Sequence, residues 1–131
     1  RAYLSDNCGF DAVAETTEAY PLVIDAVGFA VTRANASARA APGGVIVHIG
    51  LGEDTGGLDI RRMTLQEITF IGTYTYTAQD FRDTAQAIFD GRFGPINWTE
   101  TRALPDGAEA FADLLGGRVM APKIILEPEH V

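Results

Sequence analysis

The chain has 131 residues, 18 of them acidic and 10 basic, for a formal charge of −8, and 47% are hydrophobic. That is enough apolar material for a modest core and excludes a disordered tail. The acidic balance excludes the clustered Lys and Arg of a nucleic-acid binder. No apolar run reaches the roughly 18 residues of a spanning helix, and no basic-then-apolar leader opens the chain. The single cysteine, Cys8, has no partner for an internal disulfide. A cytoplasmic protein with neither nucleic acid nor membrane as partner is expected.

Arg1 to Asn7 reads as the last turns of a helix closed by Gly9. A helix already under way at residue 1, with no Met before it, predicts a piece of a longer protein. Four short runs rich in branched apolar residues follow at Phe10 to Ala14, Leu22 to Ala26, Val45 to Ile49 and Ile68 to Ile71. They are nearly continuous rather than alternating, the pattern of parallel strands covered on both faces. Thr32 to Ala41 is an Ala-rich helix stopped by Pro42-Gly43-Gly44. Gly52 to Gly57 is a flexible turn. Leu58 to Ile60 is an apolar patch expected as an edge strand, and Arg61 to Glu67 a short helix.

Thr77 to Asp90 is amphipathic, with Phe81, Ala85, Ile88 and Phe89 at helical spacing and Gly91 after it. Trp98 to Leu104 reads as an exposed strand, and Ala108 to Leu115 as a helix opened by Pro105-Asp106-Gly107. Lys123 to Leu126 reads as a final strand. Strands alternating with helices predict an α/β fold with a parallel sheet, with a boundary near Arg92 to Asn97.

Glycine stands at or just past three strand ends, at Gly28, Gly50 and Gly72. Ligands of open parallel sheets bind beyond those ends, and glycine lets a flat ligand approach the backbone. The three in register point to a ligand crevice. No glycine-rich dinucleotide fingerprint or phosphate loop is present, so a dinucleotide fold here would be a second half. Catalytic constellations are thin. His48 reads as a core or crevice-wall residue, Cys8 as inert, and Asp25 and Glu67 as local hydrogen-bond partners. Cys8, His48 and His130 lie too far apart in sequence for zinc-ligand spacing. Lys123 reads as a solvated strand end.

The ordered series VIDAVG, PGGVIVHIGL, QEITFIGTYTYTAQDF, FDGRFG, AEAFADLLGGR and PKIILEP resembles the C-terminal part of the medium-chain, zinc-type alcohol dehydrogenases, near their polyol and threonine dehydrogenase branch. The resemblance runs from about Phe10 to Pro128. It implies the second half of a Rossmann-type parallel sheet over residues 1–91. Residues 92–131 would be a C-terminal segment returning to a GroES-like catalytic domain. It further implies hydride transfer between an alcohol or polyol and NAD or NADP, with zinc polarising the substrate oxygen.

By position, Ala26, Val27 and Gly28 match the family's loop beside the adenosine and nicotinamide ribose. Ile49, Gly50 and Leu51 match the loop that meets the nicotinamide carboxamide. Gly72, Thr73 and Tyr74 match the next strand end lining that ring, and Lys123 the basic residue reaching toward the phosphates. Leu58 to Ile60 matches the edge that pairs in family dimers, implying a homo-oligomer. The family's zinc ligands, proton relay and glycine fingerprint all precede the matching region, so this sequence holds no catalytic or metal-binding residue. The chain alone is expected to be inactive. Two alternatives remain, a half-domain that binds or assembles without catalysis and a flavodoxin-like domain of separate origin.

Overall fold

Branched apolar side chains pack well on a pleated surface. They mark the strands of the computed structural model, which describes Ser5, Asp6, Gly9 and residues 12–128. The described residues fall into two units, one comprising Glu15–Ala78 and the other Arg1–Ala14 with Gln79–Val131.

In the first unit the elements run β1 (Tyr20–Asp25), α1 (Ala30–Arg39), β2 (Ala40–His48), α2 (Ile60–Leu65) and β3 (Thr69–Gly72). The strands form one parallel sheet in the order β1-β2-β3. Parallel neighbours require a crossover rather than a hairpin, and α1 and α2 provide the two crossovers. Val23 pairs with Ile46 and Ile46 with Phe70, while Asp25 pairs with His48 and His48 with Gly72. Side chains alternate across a strand, so these residues share the helix-covered face. There Ala36, Ala40, Ile46, Met63 and Ile68 form the core, with Val23 and Leu58 packed against it.

The opposite face carries Leu22, Ile24, Val45, Val47 and Ile71. Leu22 is 54% and Ile24 59% exposed. Continuous apolar strands led to the expectation of a sheet covered on both faces. In this unit the helices pack on one face only.

Other expectations shift with local chemistry. The Ala-rich helix ends at Arg39, and the chain enters the sheet at Ala40. Pro42-Gly43-Gly44 is therefore an arch inside β2 rather than a helix stop. It absorbs the register shift between the Tyr20–Ala40 and Leu22–Val45 pairs, with Gly43 at φ +70° and its amide donating to the Gln66 carbonyl at 2.8 Å. Leu58 to Ile60 is not a strand. The Asp59 carboxylate accepts the Arg62 amide at 2.8 Å, which makes it the cap that starts α2; Leu58 packs against the core and Ile60 begins the helix. Helix α2 ends in a Schellman turn, in which the Ile68 amide reaches the Met63 carbonyl at 2.9 Å and the Glu67 amide that of Thr64 at 3.4 Å. Glu67 occupies the left-handed position there, at φ 53°. Of the run expected as a strand at Phe10 to Ala14, Phe10 and Asp11 lie outside the described residues and Ala12 to Ala14 are not in a strand. Of the expected N-terminal helix only Ser5, Asp6 and Gly9 are described; the first two are helical, and the Gly9 amide donates to the Ser5 carbonyl.

The second unit holds α3 (Ala78–Phe89, whose first residue belongs to the other unit), β4 (Thr99–Ala103), a 3-10 turn (Leu104–Asp106), α4 (Gly107–Leu115) and β5 (Lys123–Glu127). Strands β4 and β5 pair in parallel from Thr99–Lys123 to Ala103–Glu127. Arg102 bridges Glu100 and Asp113 at 2.7 Å each, and Arg118 also meets Asp113. Arg102 first, then Arg118, holds the Asp113 carboxyl below its ordinary range.

Candidate functional site

The ends of β1 and β2 are tied to each other through Asp25. Its Oδ1 accepts the amides of Val27 and Gly28 at 3.1 and 2.9 Å. Its Oδ2 accepts the Thr32 hydroxyl at 3.1 Å and faces His48 Nδ1 at 3.2 Å. Its main-chain carbonyl accepts the amides of Ile49 and Gly50 at 2.9 and 3.1 Å. Asp25 is only 5% exposed. Burial alone would raise its pKa, but the Gly28 and Val27 amides, the Thr32 hydroxyl and His48 outweigh it and hold the carboxyl below the ordinary range.

A second clamp holds the loop after β2. Arg33, 6% exposed, donates to the carbonyls of Gly28, Glu53 and Gly56 at 2.7, 2.9 and 2.6 Å and also to that of Thr55. Glu53 in turn accepts the Ala30 amide at 2.7 Å, placing a carboxylate at the positive end of α1. Thr32 accepts the Phe29 amide at 3.0 Å, half of a capping box. Beyond β2 lies a cleft of about 520 Å³ whose walls include Arg33, His48, Gly50, Leu51 and Glu53. The His48 ring is tilted on Phe70, with centroids 5.4 Å apart. A second cleft of about 500 Å³ runs along β1, past Tyr20, Leu22, Ile24, Thr32 and Arg39.

Nine of the residues singled out from the sequence are thus gathered at the ends of adjacent strands: Ala26, Val27, Gly28, Ile49, Gly50, Leu51, Gly72, Thr73 and Tyr74. Lys123 stands in the other unit, exposed at the start of β5. The three glycines have different reasons to be glycine. A Cβ on Gly28 would lie 2.3 Å from the Gly50 carbonyl, and one on Gly50 would lie 2.1 Å from Val27 C. These two glycines let the β1 and β2 ends press together. Around Gly72 no heavy atom lies within 4 Å of an added Cβ, so only there does the missing side chain leave open space. The Thr73 amide donates to the His48 carbonyl at 2.8 Å, tying that end to β2.

Asp25 is the local hydrogen-bond partner and His48 the cleft-wall residue that the sequence suggested. Arg33 and Glu53 were missed. The available signal was an Arg early in an Ala-rich helix, five residues after the glycine that follows a strand end. Cys8 and His130 lie outside the described residues. Among the described residues, no group of His, Cys, Asp and Glu is placed to hold a metal ion, and no helix is long and apolar enough to cross a membrane.

The family model described as zinc-binding dehydrogenase matches residues 7–90. No curated protein matches. Among solved structures, AibC aligns with a TM-score of 0.72 at 21% identity, over 86% of this chain and 31% of its own. L-idonate 5-dehydrogenase from Escherichia coli K-12 aligns at 0.70 and 18% identity, over 84% and 32%. The yhdH oxidoreductase from Salmonella enterica, solved in complex with NADP, aligns at 0.67 and 17%, over 96% and 43%. The chain spans about a third of the length of AibC and of L-idonate 5-dehydrogenase.

Proposed function

The chain belongs to the zinc-binding dehydrogenase family, and on that premise we propose that it forms the nicotinamide-facing half of a dinucleotide-binding domain. The parent enzyme would be an NAD(P)-dependent alcohol or polyol dehydrogenase. The observation that carries this reading is the open space at Gly72, at the end of β3 and beside exposed Thr73 and Tyr74. A flat ring can meet bare backbone there, where crevices of open parallel sheets take their ligands. Ile49 to Leu51 would hold the carboxamide side and Ala26 to Gly28 the ribose side. Bound there, the nicotinamide ring supplies the hydride acceptor for oxidation of an alcohol. The chain's own residues bind and orient; none of them carries the chemistry, and by itself the chain is inactive. Among the described residues no group of His, Cys, Asp and Glu is placed to hold a zinc ion. Self-association near Leu58 to Ile60 would use the exposed Ile60 side chain at the head of α2 rather than strand pairing.

The test is a titration of the ¹⁵N-labelled chain with NADH. Shifts are expected at the amides of Ile49 to Leu51 and Gly72 to Tyr74, and Gly72→Val should abolish them. Shifts absent from these amides, or unchanged in Gly72→Val, would overturn the reading. The bare face carrying Leu22 and Ile24 favours one alternative, a half-domain that assembles with a partner and catalyses nothing. A chain that sediments wholly in assemblies and ignores NADH would support that alternative.

A further inference from the structure

We propose that Asp25 is the positioning residue of this crevice. Its carboxylate sets the Val27–Gly28 backbone and the His48 ring, and through them the surface offered beyond β1 and β2. The inference rests on the reading that the crevice takes a nicotinamide nucleotide, and it names the residue that shapes the site.

Each carboxylate oxygen already serves two groups, Oδ1 the amides of Val27 and Gly28, and Oδ2 the Thr32 hydroxyl and His48 Nδ1. A buried group with both oxygens so engaged does not itself meet a ligand. It acts through the groups it holds. The Oδ1 contacts alone would be an ordinary Asx turn. Such a turn does not account for Oδ2, which gathers one group from α1 and one from β2. The segment after β1 depends on this carboxylate for its donors, while its carbonyls are held separately by the Gly52 and Glu53 amides.

The same contact decides what His48 presents. An ionised carboxylate only accepts, so in the neutral ring the proton sits on Nδ1 and Nε2 keeps its lone pair. Nε2 has no partner among the described hydrogen bonds, and His48 lines the cleft together with Gly50 and Leu51. Asp25 thus makes His48 an acceptor at the mouth of the crevice, suited to a hydroxyl or amide N–H of a bound nucleotide.

The molecule contains its own control. Val27 and Gly28 are held by the Asp25 side chain, Ile49 and Gly50 by its main-chain carbonyl. In Asp25→Asn, amide hydrogen exchange at Val27 and Gly28 should accelerate at least tenfold, with Ile49, Gly50 and the β2 ladder little changed. Imidazole ¹⁵N spectra should show the wild-type His48 protonated at Nδ1 and the variant as a mixture of tautomers. NADH affinity should fall about tenfold in Asp25→Asn. Acceleration of all amides by one common factor would mean a general stabilising role and overturn the proposal. So would a wild-type His48 protonated at Nε2, or NADH affinity equal in the two proteins. If the wild-type chain ignores NADH, the reading of the crevice fails. The exchange pattern and the tautomer still decide the role of Asp25.

Discussion

A methyl group on Gly50 should be among the most damaging small changes in this chain. Its Cβ would stand 2.1 Å from Val27 C, 2.3 Å from the Gly28 nitrogen and 2.5 Å from the Val27 carbonyl oxygen. All three neighbours are backbone, so no side chain can swing away. Ordinary contact at about 3.5 Å requires the β1 and β2 ends to part by more than about 1 Å. That movement stretches the bonds from Ile49 and Gly50 to the Asp25 carbonyl and from Gly52 to the Val27 carbonyl. Overpacking of this kind costs about 1–3 kcal/mol, and each weakened hydrogen bond adds about 0.5–1.5 kcal/mol. Gly50→Ala is therefore expected to destabilise by about 3–5 kcal/mol. The control is Gly72→Ala, where the added Cβ meets nothing within 4 Å and the change should stay within about 0.5 kcal/mol. Urea denaturation followed by far-UV circular dichroism reads both variants. A Gly50→Ala midpoint equal to that of Gly72→Ala would refute the reasoning that the two strand ends are pressed together.

Two further expectations follow from the same region. Against burial, the amides of Gly28 and Val27 and the Thr32 hydroxyl hold the Asp25 carboxyl below the ordinary carboxylate range, so its stabilisation is fully present above about pH 4 and is lost as pH falls through the lowered folded value; the urea midpoints of wild type and Asp25→Asn should converge below about pH 4, and a gap unchanged at about pH 3 would contradict this. Glu67 occupies the left-handed turn position at φ 53°, which costs an L-residue about 1–2 kcal/mol, so Glu67→Gly should raise stability by about 1 kcal/mol or less once glycine's extra unfolded-state entropy is set against it, and a lowered midpoint would contradict that account of the turn.

The strands around Val23, Ile46 and Phe70 were legible in the sequence because runs of branched apolar residues have few other uses. That three strand ends carry glycine was plain from the sequence. The distinct reasons for those glycines were not. Whether a missing Cβ faces a ligand or a neighbouring backbone depends on which strand ends meet, and no local pattern records that. The segment from Leu58 to Ile60 misled because three apolar-rich residues suit a strand as well as a helix start. The Asp59 side chain decided it by capping α2. Arg33 was hidden for a similar reason. Its partners are the main-chain carbonyls of Gly28, Glu53, Thr55 and Gly56, which any residues would supply.

The sheet order has a kinetic consequence. Every pairing joins strands on opposite sides of a helix, Asp25 with His48 and Val45 with Thr69, and none can begin as a hairpin. Each closure must order about two dozen residues before the contacts reward it, the arrangement that slows folding. While β2 waits for β3, Val45 and Val47 are exposed on a strand with an unpaired edge. Early intermediates of this chain should therefore be the species most prone to aggregate, and refolding yield should fall with protein concentration well before native stability is at issue.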